Sequence, residues 1–230
     1  MGNKKMAAKD RGRVPASQAS TAQRILDTAE QFAQTRGFNG FSYADVAQEL
    51  LVSKASLHYH FPSKADLGRA LVLRYHQALM QALEAIDRQT DEAREKLRRY
   101  IGLHDSVIRN NRMCLCGMFS AECATFPAPM QDELRRFFDA NELWLAAVLE
   151  DGRRAGELAF RGPVKQRARS VLAALEGAML VAHAYGDGRR FQSAAKQVLA
   201  DLNAERADEP SEQRPPATDA ASANADCRCP

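Results

Sequence analysis

Residues 43–64, YADVAQELLVSKASLHYHFPSK, constrain this chain more than any other stretch. Apolar residues recur at helical spacing on both sides of a short polar turn, which predicts two short helices packed across it. The first runs over residues 43–50, with Val46, Ala47 and Leu50 inward. The second runs over residues 53–60, with Leu57 and Phe61 on its inner side. Its outer face carries Lys54, Ala55, His58 and Tyr59, which are small, basic, or aromatic with a polar tip. A buried scaffold that presents such a face suits a helix entering the DNA major groove.

The surrounding sequence is helical too. Three helix starts are marked by Ser with Gln or Asp three residues on: Ser20 and Gln23, Ser42 and Asp45, Ser63 and Asp66. The first opens a helix with Ile25, Leu26, Ala29, Phe32 and Ala33 on one face, ended by Gly37; Phe38 and Phe41 then fill a small core. The third opens a long helix, residues 64–87, whose later part (Leu79, Ala82, Leu83, Ile86) belongs to a second domain, so that it links the two. Helical patterns follow at 91–110, 114–125, 129–157, 164–185 and 189–203, punctuated by Gly and Pro. Strand-like alternation is missing, so the expected fold is all-α, with about nine helices. Residues 1–19 read as a disordered basic arm, with Lys4, Lys5, Lys9, Arg11 and Arg13. Residues 204–230 are Ala, Asp, Glu, Ser, Pro and Arg-rich and read as a disordered tail. Between them lie a DNA-binding domain, 20–78, and an effector-binding and dimerisation domain, 79–203.

Charge is placed unevenly. Residues 1–76 carry a net +5 and the remainder −2, so positive charge gathers around the helix-turn-helix, as phosphate binding requires. No apolar run has membrane-spanning length and no signal-peptide core opens the chain, so a cytoplasmic protein with no membrane partner is expected. Five cysteines (Cys114, Cys116, Cys123, Cys227, Cys229) are an odd number, against a disulfide framework.

Lys54 and Ala55 open the recognition helix, where side chains reach base edges, and Ala55 suits a thymine methyl. Ser56, His58, Tyr59 and His60 offer donors to phosphates or bases, with Ser53 at the helix start. Ser42 marks a helix N-terminus, whose free N–H groups favour a phosphate, and Tyr43 follows it. For each of these residues an ordinary solvated side chain is the alternative, and for the histidines a packing role.

The segments Phe41-Ser42-Tyr43-Ala44-Asp45-Val46-Ala47, Val52-Ser53-Lys54-Ala55-Ser56-Leu57-His58-Tyr59-His60-Phe61 and Pro62-Ser63-Lys64-Ala65-Asp66-Leu67 resemble the TetR/AcrR family of bacterial transcriptional regulators. The resemblance covers roughly residues 20–78, through three helices at matching spacing. Where the family usually has tyrosine after the recognition-helix leucine, this chain has His58. The resemblance implies that Lys64 grips the DNA backbone, and that the partners are a palindromic double-stranded operator and a second copy of the chain.

One such module reads few base pairs, so specificity demands a dimer. Phe191, Ala194, Ala195, Val198, Leu199 and Leu202 form an apolar stripe. Ala173, Ala174, Gly177, Ala178 and Ala182 give the preceding helix a small-residue face. The family pairs through a four-helix bundle at these positions; closing the monomer core is the other use of both stripes. The expected interface is Ala174, Gly177, Ala178, Phe191, Ala195, Val198, Leu199 and Leu202.

For the second domain, the segment 114–123 (CLCGMFSAEC) allows a metal site, a thiol sensor or apolar filler. On a helix Cys114 and Cys116 point roughly 200° apart, so a shared metal is not expected. No cofactor is expected. Cys114 stands at a helix start two residues after Arg112, both features that lower a thiol pKa. The region also loosely resembles the electrophile-responsive TetR repressors of N-ethylmaleimide reductase type, which place a Cys before Ser-Ala-Glu, here Ser120-Ala121-Glu122. The rival is a non-covalent ligand in an apolar cavity, with Phe119, Trp144 and His183 among the candidate residues. The function expected is a repressor released by a small-molecule or thiol-reactive effector. An activator or ligand-free regulator of the same fold is the alternative, and outside the class a thiol enzyme on Cys114. No base stands at a readable spacing from that thiol, His104 and His183 being single candidates, so no catalysis is expected.

Overall fold

The computed structural model describes residues 20–203. The basic arm, the acidic and Pro-rich tail, Cys227 and Cys229 lie outside the described residues. Among those described there is no strand, and the order is α1 (Thr21–Arg36), α2 (Tyr43–Leu50), α3 (Lys54–His60), α4 (Lys64–Gln89), α5 (Ala93–Arg109), α6 (Leu115–Ala121), a 3₁₀ turn (Cys123–Thr125), α7 (Ala128–Arg154), α8 (Val164–Tyr185) and α9 (Gly188–Asp201). No described helix is long and apolar enough to cross a membrane.

The helix starts follow from their caps. Ser42 and Ser63 each accept the N–H of the aspartate three residues on, and each aspartate bonds back to the serine N–H, at 2.7 Å and 3.0 Å. At α1 only half of this occurs: Ser20 accepts the Gln23 N–H, but the Gln23 side chain turns along the helix to Asp27. The two short helices α2 and α3 are joined at Leu51, which takes a left-handed backbone (φ 55°) with no glycine to ease it.

α1 to α3 enclose a small core of Ile25, Phe32, Phe41, Val46 and Leu57. The start of α4 closes it with Leu67 and Leu71, and Arg74 on the same helix pairs with Asp27 and Glu30 of α1. Further along, α4 joins the second core. Its Asp87 accepts the Trp144 indole N–H of α7 at 2.9 Å and pairs with Lys96 of α5 at 2.8 Å. Gly68 lets α4 approach α7, since a Cβ there would stand 2.8 Å from the Met130 methyl.

The sixth helix is shorter than the sequence pattern. It stops at Ala121 because Glu122 leaves the helix to accept the Asn39 N–H of the first domain at 2.8 Å. Thr125 is 3.2 Å from the Asn39 amide, and at the other end of the segment Met113 N–H donates to Gln34 of α1 at 3.0 Å. Rings fill the space between: Phe38 lies 5.2 Å from Phe119 and 5.1 Å from Phe126. The α6 segment is thus fastened to the helix-turn-helix domain at both ends.

Candidate nucleic-acid interface and effector cavity

Leu57 is fully buried and anchors α3, which leaves Ser53, Lys54, Ala55, His58 and Tyr59 exposed on its outer side. Tyr59 is the most prominent: its side chain is 84% exposed, with its ring 5.0 Å from His60. Ser56 and His60 are half-buried. The His58 ring packs on Tyr43 at 4.8 Å, and its Nδ1 lies 3.1 Å from the Pro62 carbonyl, so this side chain also braces the turn after α3. Sequence reasoning missed Leu51, almost fully exposed beside this face.

Two expected DNA contacts turn inward. Tyr43 is buried, and its hydroxyl donates between the carbonyls of Phe61 and Ser63, at 2.8 and 2.7 Å. It ties the start of α2 to the turn before α4. Burial, then the nearby Asp66 charge, push its pKa up to about 12. Lys64 does not reach outward for a phosphate: its ammonium donates to the carbonyls of Phe38 and Phe41 and sits 4.5 Å over both rings. The turn over residues 38–41 lies over the first turn of α4, so the nearest acceptors are the protein's own. Burial lowers the Lys64 pKa against the opposing pull of Glu122 and Asp45. Ser42 remains exposed at its helix N-terminus, its hydroxyl bonded to Asp45 at 2.7 Å.

In the second domain a cavity of about 200 Å³ lies among α4, α5, α7 and α8, with Tyr75, Leu79, His104, Cys114, Phe137 and Met179 in its wall. The expected effector residues are not gathered there. Only Cys114 lines the cavity. Arg112 and His183 face a separate groove between α5 and the α8–α9 turn. Phe119 is fully buried in the ring cluster with Phe38 and Phe126. Trp144 is buried, with its ring 5.4 Å from Tyr100 and its N–H on Asp87.

The lowered thiol pKa expected for Cys114 is also corrected. Its Sγ accepts the Gly117 N–H at 3.4 Å, which favours a thiolate, but the residue is buried, and burial, followed by the Glu176 carboxylate, pushes the pKa well up. Arg112, the cation meant to oppose this, lines the other groove. Cys116, fully buried, is raised for the same first reason. In a chain carrying Cys227→Ser and Cys229→Ser, iodoacetamide is therefore expected to modify half-exposed Cys123 first, with Cys114 and Cys116 slow even at alkaline pH. Mass spectrometry of timed digests checks this; rapid labelling of Cys114 at neutral pH would contradict it.

The expected dimer stripe divides. Phe191, Ala195 and Leu202 are buried in the chain's own core, because α5 as well as α8 covers α9; the Phe191 ring stacks on His104 of α5 at 6.3 Å. Val198 and Leu199 are half-buried. On α8, Ala174 is exposed, Gly177 and Ala178 are half-exposed, and the space over Gly177 is open. Beside them stand residues that sequence reasoning missed: Leu180, 46% exposed, Val181, 49% exposed, and Tyr185. From Ser170 on, α8 is mostly apolar or small on every side, so its sequence does not say which side faces out.

Comparison with known proteins follows the same division. The family described as bacterial regulatory proteins, tetR family, matches residues 25–71, and the one described as tetracyclin repressor-like, C-terminal domain, matches residues 93–198. A TetR-family transcriptional regulator from Agrobacterium tumefaciens is 34% identical, with TM-score 0.77, over 79% of this chain and 97% of that one. The reduced form of Escherichia coli NemR is 25% identical, with TM-score 0.67, over 78% of this chain and 95% of the other. Among curated proteins, the nucleoid occlusion factor SlmA of Vibrio campbellii is 26% identical over 154 residues, 66% of this chain and 77% of that protein.

Proposed function

The chain belongs to the TetR family of bacterial regulatory proteins and is a DNA-binding transcriptional regulator, and from that premise we propose that it is a cytoplasmic, homodimeric repressor released from a palindromic operator by a small effector. The observation that carries this reading is the pairing of an exposed recognition face on α3 with a cavity whose wall includes elements fastened to the same domain at the 38–41 turn and α1. Lys54 and Ala55 read base edges, Ser53, Ser56, His58, Tyr59 and His60 contact phosphate or base, and Ser42 holds a phosphate at the start of α2. Two such faces, one per protomer, occupy successive major grooves. The α8 outer face around Ala174, Gly177, Ala178, Leu180 and Val181 forms the seam.

The cavity wall includes Tyr75 and Leu79 of α4, whose first turn holds the 38–41 turn through Lys64, and Cys114, which caps the doubly fastened α6. A ligand that changes the spacing of α4, α5 and α6 therefore shifts the first domain on the second. The affinity lost for DNA equals the coupling between the sites. A thiol-reactive effector is the second reading, favoured by the place of Cys114 in the cavity wall; it requires the electrophile to bind first and supply its own local concentration.

Tyr59→Ala is expected to weaken operator binding by about tenfold to a hundredfold for a dimer, through two lost contacts of roughly 1 kcal/mol each. Fold stability is expected to stay unchanged, because the ring is solvent-facing. Fluorescence anisotropy on operator DNA measures the first and thermal unfolding the second. Unchanged affinity would remove Tyr59 from the interface.

A further inference from the structure

The wall of the 200 Å³ cavity allows its ligand class to be narrowed, and this deepens the effector reading above. An apolar cavity of about 150 Å³ holds benzene, so this one has room for a single ring with one or two small substituents. Three rings (Tyr75, His104, Phe137) and the Met179 thioether face it, surroundings that favour a flat aromatic ligand over a branched aliphatic one.

No Lys, Arg, Asp or Glu lines the cavity. A carboxylate or ammonium ligand would lose part of its hydration there with no opposite charge among the lining residues to replace it. Glu176 lines a different groove, over Gly117, and meets this wall only from behind, at the Cys114 thiol, where burial raises its pKa and favours the uncharged acid.

The polar atoms in the wall are mostly engaged. Asn141 accepts the Tyr100 hydroxyl at 2.8 Å and donates to the Phe137 carbonyl at 2.9 Å. Ser106 donates to the Leu103 carbonyl at 2.7 Å. His104 differs. Its Nδ1 lies 3.1 Å from the Tyr100 carbonyl, which can only accept, so Nδ1 carries a proton, and in the neutral ring Nε2 keeps its lone pair. That nitrogen is an acceptor suited to a ligand donor. We propose that the cavity binds an uncharged monocyclic phenol, its ring between Phe137, Leu79 and Met179 and its hydroxyl donating to His104 Nε2.

The test is isothermal titration calorimetry of the full chain with three probes of similar size: 4-methylphenol, toluene and 4-methylbenzoate. Trp144, the single tryptophan, reports location through its fluorescence, since Tyr100 links it to Asn141 of the wall. The expected order is 4-methylphenol about tenfold tighter than toluene, the ratio one hydrogen bond sustains, with no binding of 4-methylbenzoate. His104→Leu should reduce the 4-methylphenol affinity to that of toluene. Ala82→Phe, which fills the cavity, should abolish both without unfolding the protein. Binding of 4-methylbenzoate as tight as 4-methylphenol overturns the proposal, as do 4-methylphenol binding unchanged in Ala82→Phe and the absence of binding by the folded protein. Operator binding measured separately distinguishes the two readings. If 4-methylphenol binds as expected but leaves operator affinity untouched, the effector reading fails and the ligand assignment stands.

Discussion

The double variant Leu180→Glu, Val181→Glu is expected to be monomeric and to lose specific operator binding. Both residues are about half exposed on the outer side of α8, next to exposed Ala174 and the open space over Gly177. In a dimer seam they would be covered, and four carboxylates would meet in an apolar contact with no cation to receive them. In the monomer they face water, so helical content should be unchanged. One recognition helix alone reads a half-site, and affinity should fall toward the non-specific level, a loss on the order of a thousandfold or more. Sedimentation equilibrium and an operator titration measure the two effects together. A variant that remains dimeric would move the seam elsewhere. Phe191→Glu makes a poor test of the same idea, because that ring is in the monomer core and its loss would unfold the chain.

Lys64→Met is expected to destabilise the protein by about 2–4 kcal/mol, since it removes charge-assisted hydrogen bonds and cation–π contacts and leaves the carbonyls of Phe38 and Phe41 unpaired. Methionine keeps most of the aliphatic stem, so packing changes little. The urea midpoint should fall, while the slope of operator affinity against salt stays the same once the variant is folded. Retained stability with a reduced salt slope would restore the phosphate contact that the family resemblance implies for this lysine.

The fold was legible where information is local. Ser42 with Asp45 and Ser63 with Asp66 mark their helices within four residues, and Leu57 against Val46 sets the helix-turn-helix by spacing alone. What sequence could not supply is where a side chain goes when its partner is distant in the chain. Glu122 ends α6 because Asn39 is waiting, 83 positions away. Lys64 looks like a free cation at a helix start until the turn of Phe38 and Phe41 lies over it. Tyr43 has the polar tip of a DNA contact and uses it on Phe61 and Ser63. The apolar stripes of α8 and α9 were visible, but their facing depends on α5, which covers Phe191 and leaves Leu180 bare. For Cys114, a helix start argues for a low pKa and burial for a high one, and only packing decides between them.

Two copies of α3 are expected to read one symmetric DNA site. Selection of bound fragments from a random duplex pool by the full-length protein, followed by footprinting of the recovered sites, tests it directly. The expected result is enrichment of an inverted repeat, with the half-site centres about one helical turn or a whole multiple apart and protection across both halves. Recovered fragments with no dyad symmetry, or no enrichment over the starting pool, would contradict it.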